Sequence, residues 1–388
     1  MIVPLSVDEL SIHGWTIDNI AIEGHSFLGL ELNSGVMRRL ARGAVKSLSA
    51  LHAVLYSRIV DFIRLRATEG VGYDARPGKI VNSKLSVLRM KVCSDMPTAI
   101  VNEYVNRQGE KFDIEVFYVE DGDPNGEPLL LIMGLGTQLI AWPQDLVDRL
   151  TTAGYRVIRL DNRDCGLSTH LDGVPKCTVL TPAPYHLTDM AKDAVGLLDH
   201  LKIEQTHVVG ASMGGMVAQR VVLDYPAKIL SLCSIMSTTG NRAVGLPTWG
   251  AVEAVLEPVP SEREEAINHM VGVAEVIGSQ SYRDEERPVR RQQAEAAYER
   301  GIYPQGTARQ YCAIDRAENR KTKLGNVAVP ALVIHGTEDS LINISGGRDT
   351  AEAIPKSTLV ELDGMGHDLP VRLQSRIADE IVTNARLA

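Results

Sequence analysis

The segment His207-Val-Val-Gly-Ala-Ser-Met-Gly-Gly215 sets a serine, Ser212, between Gly210 and Gly214, directly after an apolar run and directly before a helical pattern. A G-x-S-x-G sequence between strand and helix forms a sharp turn that projects the serine oxygen for attack on a carbonyl carbon. The flanking glycines relieve the crowding that a Cβ would cause in such a strained turn. The helix that follows directs its dipole and free N–H groups at the charge formed during attack. A serine hydroxyl is a weak nucleophile at neutral pH, so it needs a base within hydrogen-bond reach. Chains with this turn supply the partners in the order serine, acid, histidine. His367, in LDGMGHDLP, follows the last strand pattern and is the only histidine beyond His335. His335 sits inside the apolar run ALVIHG and reads as a core or strand-end histidine. For the acid, GTEDS (336–340) offers Glu338 and Asp339. Asp339, in a G-x-x-D stretch, is preferred, and Glu338 reads as solvated. STTGN, after ILSLCSIM, holds no carboxylate that could take this place.

Acyl transfer also needs donors for the oxyanion. The N–H of Met213, next after the serine, is one. The other is expected from Gly134-Leu135-Gly136-Thr137-Gln138, where glycines let the backbone approach a substrate closely. The Leu135 N–H is the first choice and that of Gly136 the next, with Gly134 and Gly136 against the substrate. Trp142 follows closely and either lines an acyl pocket or belongs to the core. The stretch Asp161-Asn-Arg-Asp-Cys-Gly-Leu-Ser168 is dense in polar groups and reads as a structural network beside the nucleophile, with no catalytic role.

These residues need a frame. FDIEVFYVE (112–120) alternates like a strand, and LLLIM, YRVIRL, HVVG, ILSLCSIM, ALVIHG and TLVEL are short runs of buried-strand type. Helical patterns fall at 142–152, 187–201 and after Ser212. Strands alternating with helices predict an α/β fold with a mostly parallel sheet flanked on both faces. Between 240 and 323 the strand signal stops; AVEAVL, SEREEAINHMVGVAEVIG and PVRRQQAEAAYERG are charge-rich helical patterns and predict a cap over the sheet's carboxyl edge. The domains expected are therefore an extension over 1–95, a core over 96–239 and 324–388, and a helical cap over 240–323.

The extension differs in charge. It holds 12 Lys/Arg and 9 Asp/Glu, a net of +3, against −12 for the remainder of a 388-residue chain of net charge −9. Val36–Arg66 has apolar residues at 37, 41, 44, 48, 51, 55, 59 and 62, with seven basic residues and Asp61 alone opposing them. This long basic amphipathic helix is expected to pack on its own domain or form a homodimer, with contact to an anionic membrane surface as the second reading. The acidic whole argues against nucleic acid as a partner. The five cysteines are dispersed without metal-ligand spacing, so neither a disulfide framework nor a metal site is expected, and a reducing cytoplasm is. The first residues carry no signal-peptide pattern, and no apolar run reaches the ~18 residues needed to cross a bilayer.

MGLGTQLIAWP, RLDNRDCGLST, VVGASMGGMVAQ, SIMSTTG, VIHGTEDSLI and GMGHDLP together resemble the α/β-hydrolase family that includes aclacinomycin methylesterase and related bacterial carboxylesterases. The resemblance covers about 101–387. It implies an α/β-hydrolase fold and hydrolysis of a carboxylic ester through an acyl-serine intermediate, without a cofactor. Its catalytic residues fall on Ser212, Asp339 and His367. Met133 stands where many members carry a histidine before the oxyanion glycine; the backbone donor is unaffected. The substrate expected is a small-molecule or lipid ester. Acyl transfer, lactone or thioester hydrolysis would use the same three residues, and a membrane-associated lipase or a non-catalytic ligand-binding protein are the remaining rivals.

Overall fold

The computed structural model describes residues 97–388, apart from 107, 108, 176 and 178–180. Readings that fall on 1–95, the basic helix included, lie outside the described residues. Eight strands form one sheet in the order β1-β2-β4-β3-β5-β6-β7-β8. They are β1 (Thr98–Val105), β2 (Lys111–Asp121), β3 (Glu127–Ile132), β4 (Tyr155–Leu160), β5 (Thr206–Ala211), β6 (Ile229–Ile235), β7 (Ala331–Gly336) and β8 (Thr358–Leu362). The β1–β2 and β2–β4 pairs are antiparallel, and β3 through β8 pair in parallel. The central strands β3, β5, β6 and β7 are the apolar runs of the sequence because both their faces are covered. β1 is not among the strands that the periodicity predicts. A register shift between Ile100 and Asn102 breaks its alternation, and it lies at the sheet edge with Ile100 and Val105 exposed.

Helices α1 (Gln144–Thr152), α2 (Leu187–His200) and α3 (Met213–Asp224) follow β3, β4 and β5. Between β6 and β7 the chain makes α4 (Trp249–Leu256), α5 (Arg263–Ile277), α6 (Arg283–Arg300), α7 (Pro304–Asp315) and the short α8 (Lys321–Leu324). The first three match the predicted helical patterns of the insertion; α7 lies in sequence that showed no clear period. Helix α9 (Ser345–Ala353) precedes β8, and α10 (Val371–Ala385) closes the chain. One apolar core lies on the face of α2 and α3 and a second on the face of α1 and α10.

One expectation from the cysteines is corrected. Cys177 and Cys312, 135 residues apart, form a disulfide that joins the loop before α2 to α7. Sequence spacing alone does not reveal a bridge whose halves meet only after the insertion folds back. Cys165 and Cys233 are free and buried. Among the described residues no helix is long and apolar enough to cross a membrane.

Candidate active site

Ser212 stands between the end of β5 and the start of α3 with φ 56° and ψ −120°, a strained conformation for a residue with a side chain. The strain is held by hydrogen bonds: the Ser212 N–H donates to the Ile235 carbonyl (2.9 Å), and the Ser237 hydroxyl donates to the Ser212 carbonyl (2.8 Å). The glycines are required sterically. A Cβ on Gly210 would lie 2.1 Å from the Gly214 carbonyl oxygen, and one on Gly214 2.0 Å from that of Ile132.

The loops after β7 and β8 bring Asp339 and His367 to this serine. Ser212 Oγ lies 2.9 Å from His367 Nε2, and His367 Nδ1 lies 2.8 Å from Asp339 Oδ2. The pattern of partners assigns the proton to Nδ1, which donates to the carboxylate and leaves Nε2 to accept from the serine hydroxyl. Asp339 is buried. Its Oδ1 accepts the N–H groups of Leu341 (2.9 Å) and Ile342 (2.8 Å), and its Oδ2 also faces His335 Nε2 at 3.3 Å. Burial alone would push its carboxyl up; the charge and hydrogen bond of His367 and the bond from His335 outweigh that and pull it down to about 2. It is therefore ionised at neutral pH.

Glu338, the rejected neighbour, is not free in solvent. It accepts the N–H groups of Gln280 and Ser281 and the Ser281 hydroxyl, tying its loop to the end of the insertion's α5–α6 connection. The histidine loop is tied to the same place. The His367 N–H donates to the Ile277 carbonyl (2.8 Å), the Gly366 N–H to Ser279 Oγ (2.9 Å), and Arg290 pairs with Asp368 (2.9 Å).

Gly134 presses on the nucleophile: a Cβ there would sit 3.1 Å from Ser212 Cβ. The Gly136 N–H points away, donating to Gln310 Oε1 of α7 at 2.7 Å. The Leu135 N–H has no acceptor among the described residues, and the Met213 N–H, at the first position of α3, has no intrahelical acceptor. Trp142 is 1% exposed and packs in the core with Leu129, Leu131 and Met133.

The polar stretch after β4 is the network it was read to be. Asp161 accepts the N–H groups of Leu139 (2.7 Å) and Leu167 (3.0 Å) and pairs with Arg300 of α6 (2.8 Å). Asn162 Nδ2 donates to the Met133 carbonyl (2.9 Å), just before Gly134. Asp164 pairs with Arg309 of α7 (2.7 Å) and accepts the Tyr185 hydroxyl. Sequence reasoning missed His335 as a partner of Asp339, missed Arg290, Arg300, Arg309 and Gln310 as the insertion's grip on these loops, and missed Gln138 as the loop residue that donates to the Ala297 and Gly301 carbonyls of the insertion. Only the polar density of 161–168 hinted at such partners; His335 is four positions from Asp339, and these insertion residues reach the loops over separations from 78 positions, between Arg290 and Asp368, to 174, between Gly136 and Gln310.

The chain is similar to known proteins over most of the described residues. A rhodomycin D methylesterase of Streptomyces peucetius is 29% identical over 290 residues, 69% of this chain and 93% of that protein. The enol-lactonase structure from Burkholderia xenovorans superposes with a TM-score of 0.57 at 24% identity, covering 74% of this chain and all of that one. An esterase structure from a Rhodococcus species gives a TM-score of 0.56 at 21% identity, covering 75% of this chain and 100% of that one. The profile of the family described as alpha/beta hydrolase fold matches residues 127–371, so the chain belongs to the α/β-hydrolase family.

Proposed function

We propose that this chain is a serine carboxylesterase acting on small-molecule esters, with Ser212 as nucleophile, His367 as general base and acid, and Asp339 as the orienting acid. The observation that carries the reading is the unbroken relay from Asp339 to His367 to Ser212 at 2.8 and 2.9 Å, on a serine held at a strained positive φ. The methylesterase relative supports the ester as the bond attacked.

In the first half-reaction Ser212 Oγ bonds to the carbonyl carbon while its proton passes to His367 Nε2. The carbonyl π electrons move to oxygen, and the resulting oxyanion accepts the N–H groups of Leu135 and Met213. Ionised Asp339 stabilises the imidazolium. Collapse expels the alcohol, which leaves with the proton from Nε2, and Ser212 holds the acyl group as an ester. Water then gives a proton to Nε2 and attacks the acyl carbon; the bond to Ser212 Oγ breaks, Nε2 returns the proton to that oxygen, and the carboxylic acid leaves. Acyl transfer would replace that water by another alcohol or a thiol and use the same residues.

The test is hydrolysis of p-nitrophenyl esters from acetate to palmitate by wild type and by Ser212→Ala. Turnover that disappears in the variant supports the serine mechanism, and the preferred chain length sizes the acyl pocket. An inactive wild type that is still labelled at Ser212 by a fluorophosphonate would keep the chemistry and overturn the substrate class. A folded protein with neither turnover nor labelling would overturn the enzyme reading and leave the non-catalytic binding protein.

A further inference from the structure

We infer that Gln310 of α7 is a positioning residue that holds the oxyanion loop from the side of the helical insertion; the inference rests on the serine-esterase reading above. Gln310 is fully buried, and both ends of its amide are committed. Oε1 accepts the Gly136 N–H at 2.7 Å, and Nε2 donates to the Arg163 carbonyl at 2.7 Å. One side chain therefore bridges the loop after β3, whose Gly134 lies against Ser212, and the loop after β4.

Each end of the bridge is rigid. The Arg163 side chain is itself in a buried pair with Asp193, so the carbonyl that anchors Gln310 sits on a fixed segment. The Leu135–Gly136 peptide is held from both sides: its N–H goes to Gln310, and its carbonyl accepts the Thr137 hydroxyl at 3.0 Å. Helix α7 rests directly on that peptide, since a Cβ on Gly136, whose φ is +62°, would lie 2.7 Å from Thr307 Oγ1. The adjacent Arg309 pairs with Asp164, and Cys312, two positions on, is bridged to Cys177.

The consequence is a choice between two amides. The loop offers the Leu135 and Gly136 N–H groups, and Gln310 takes the second. With that peptide plane fixed, the Leu135 N–H remains for the oxyanion. Without Gln310 the Gly136 N–H loses its protein acceptor, and the Leu135–Gly136 peptide, with a glycine at one end, is free to rotate away from its present plane. An oxyanion donor acts only if it is in place before charge develops, so loosening the loop weakens the transition state more than the bound substrate.

The experiment compares wild type with Gln310→Met, which keeps the length of the side chain without its hydrogen bonds. Turnover of p-nitrophenyl acetate, inhibition by an aryl trifluoromethyl ketone and the circular-dichroism melting curve are measured for each. Direct loss of one oxyanion donor costs about 100- to 1,000-fold in kcat; for a positioning residue we expect a loss of about 10-fold or more, with KM within about threefold. The ketone, which forms a tetrahedral adduct with the serine, should lose affinity in parallel with kcat/KM. A folded Gln310→Met enzyme with wild-type kcat and wild-type ketone affinity overturns the inference and leaves the serine mechanism intact. If Gln310→Met does not fold, Gln310→Asn takes its place: its amide is one methylene too short to reach Gly136, so kcat and ketone affinity should fall together, and a folded Gln310→Asn enzyme at the wild-type values of both overturns the inference. Wild type that neither turns over ester nor labels with a fluorophosphonate overturns the esterase reading, and this inference falls with it.

Discussion

Asp339 is held on every side: two backbone N–H groups hold one oxygen, while His367 and His335 face the other. These contacts fix which imidazole nitrogen carries the proton. Asp339→Asn should keep the shape but favour the wrong tautomer, lowering kcat by about 1,000- to 10,000-fold; steady-state kinetics measures it. Glu338→Gln changes a loop tether only, so it should retain wild-type kcat, and a deep loss there would reverse the choice of acid. The acid limb of stability follows from the same carboxyl. Its folded value of about 2 lies below the ordinary 3.8, so its ionised form stabilises the native state. That contribution is complete above 3.8 and is lost as pH falls toward 2. In urea titrations at a series of pH values, the stability gap between wild type and Asp339→Asn should narrow across that window. A constant gap would mean that Asp339 is not held ionised by its neighbours.

At the scale of elements, the helical insertion is more than a neighbour of the site. Its α5–α6 connection holds the histidine and acid loops through Ile277, Ser279 and Gln280, while α6 and α7 hold the loops after β3 and β4 through Arg300, Arg309 and Gln310. The Asp164–Arg309 pair is fully buried, and removing one partner strands the other's charge. Arg309→Met should therefore cost about 3–5 kcal/mol of stability, read from denaturant unfolding. The Cys177–Cys312 bridge reinforces the same helix. Under non-reducing conditions Cys312→Ser should lose about 2–4 kcal/mol relative to wild type, and reductant should bring wild type down to the variant's level. Native, unreduced protein should also take up no alkylating agent at Cys165 or Cys233, since both are buried and burial pushes their thiols well up.

At the scale of the whole molecule, the parallel strands β3, β5, β7 and β8 all deliver their following loops to one edge of the sheet, which is where open α/β sheets bind ligands. Every group in the proposed site belongs to residues 133–368, and none to the basic extension over 1–95. A chain beginning at residue 96 should thus keep the full-length kcat on a soluble ester. Co-sedimentation with anionic vesicles, if the extension confers it, should vanish in that truncated chain and in high salt. Equal pelleting of both chains would remove the extension from any membrane role.

The sequence alone determined what local pattern encodes. Short apolar runs name the strands because strands covered on both faces are mostly apolar, and Gly210-Ala-Ser-Met-Gly214 names its turn because only glycines fit the closures on either side. Chain order and residue type then left Asp339 and His367 as partners for Ser212. Other features depend on contacts between distant segments, and no local period records those. The edge strand β1 lost its alternation to a register shift, and α7 buries polar Arg309, Gln310 and Asp315, so its sequence lacks an apolar stripe. The Cys177–Cys312 bridge and the capture of the Gly136 N–H by Gln310 were decided only when α7 packed against the loops after β3 and β4. Such pairings are set by where chain segments meet in space, and sequence separation carries no trace of that distance.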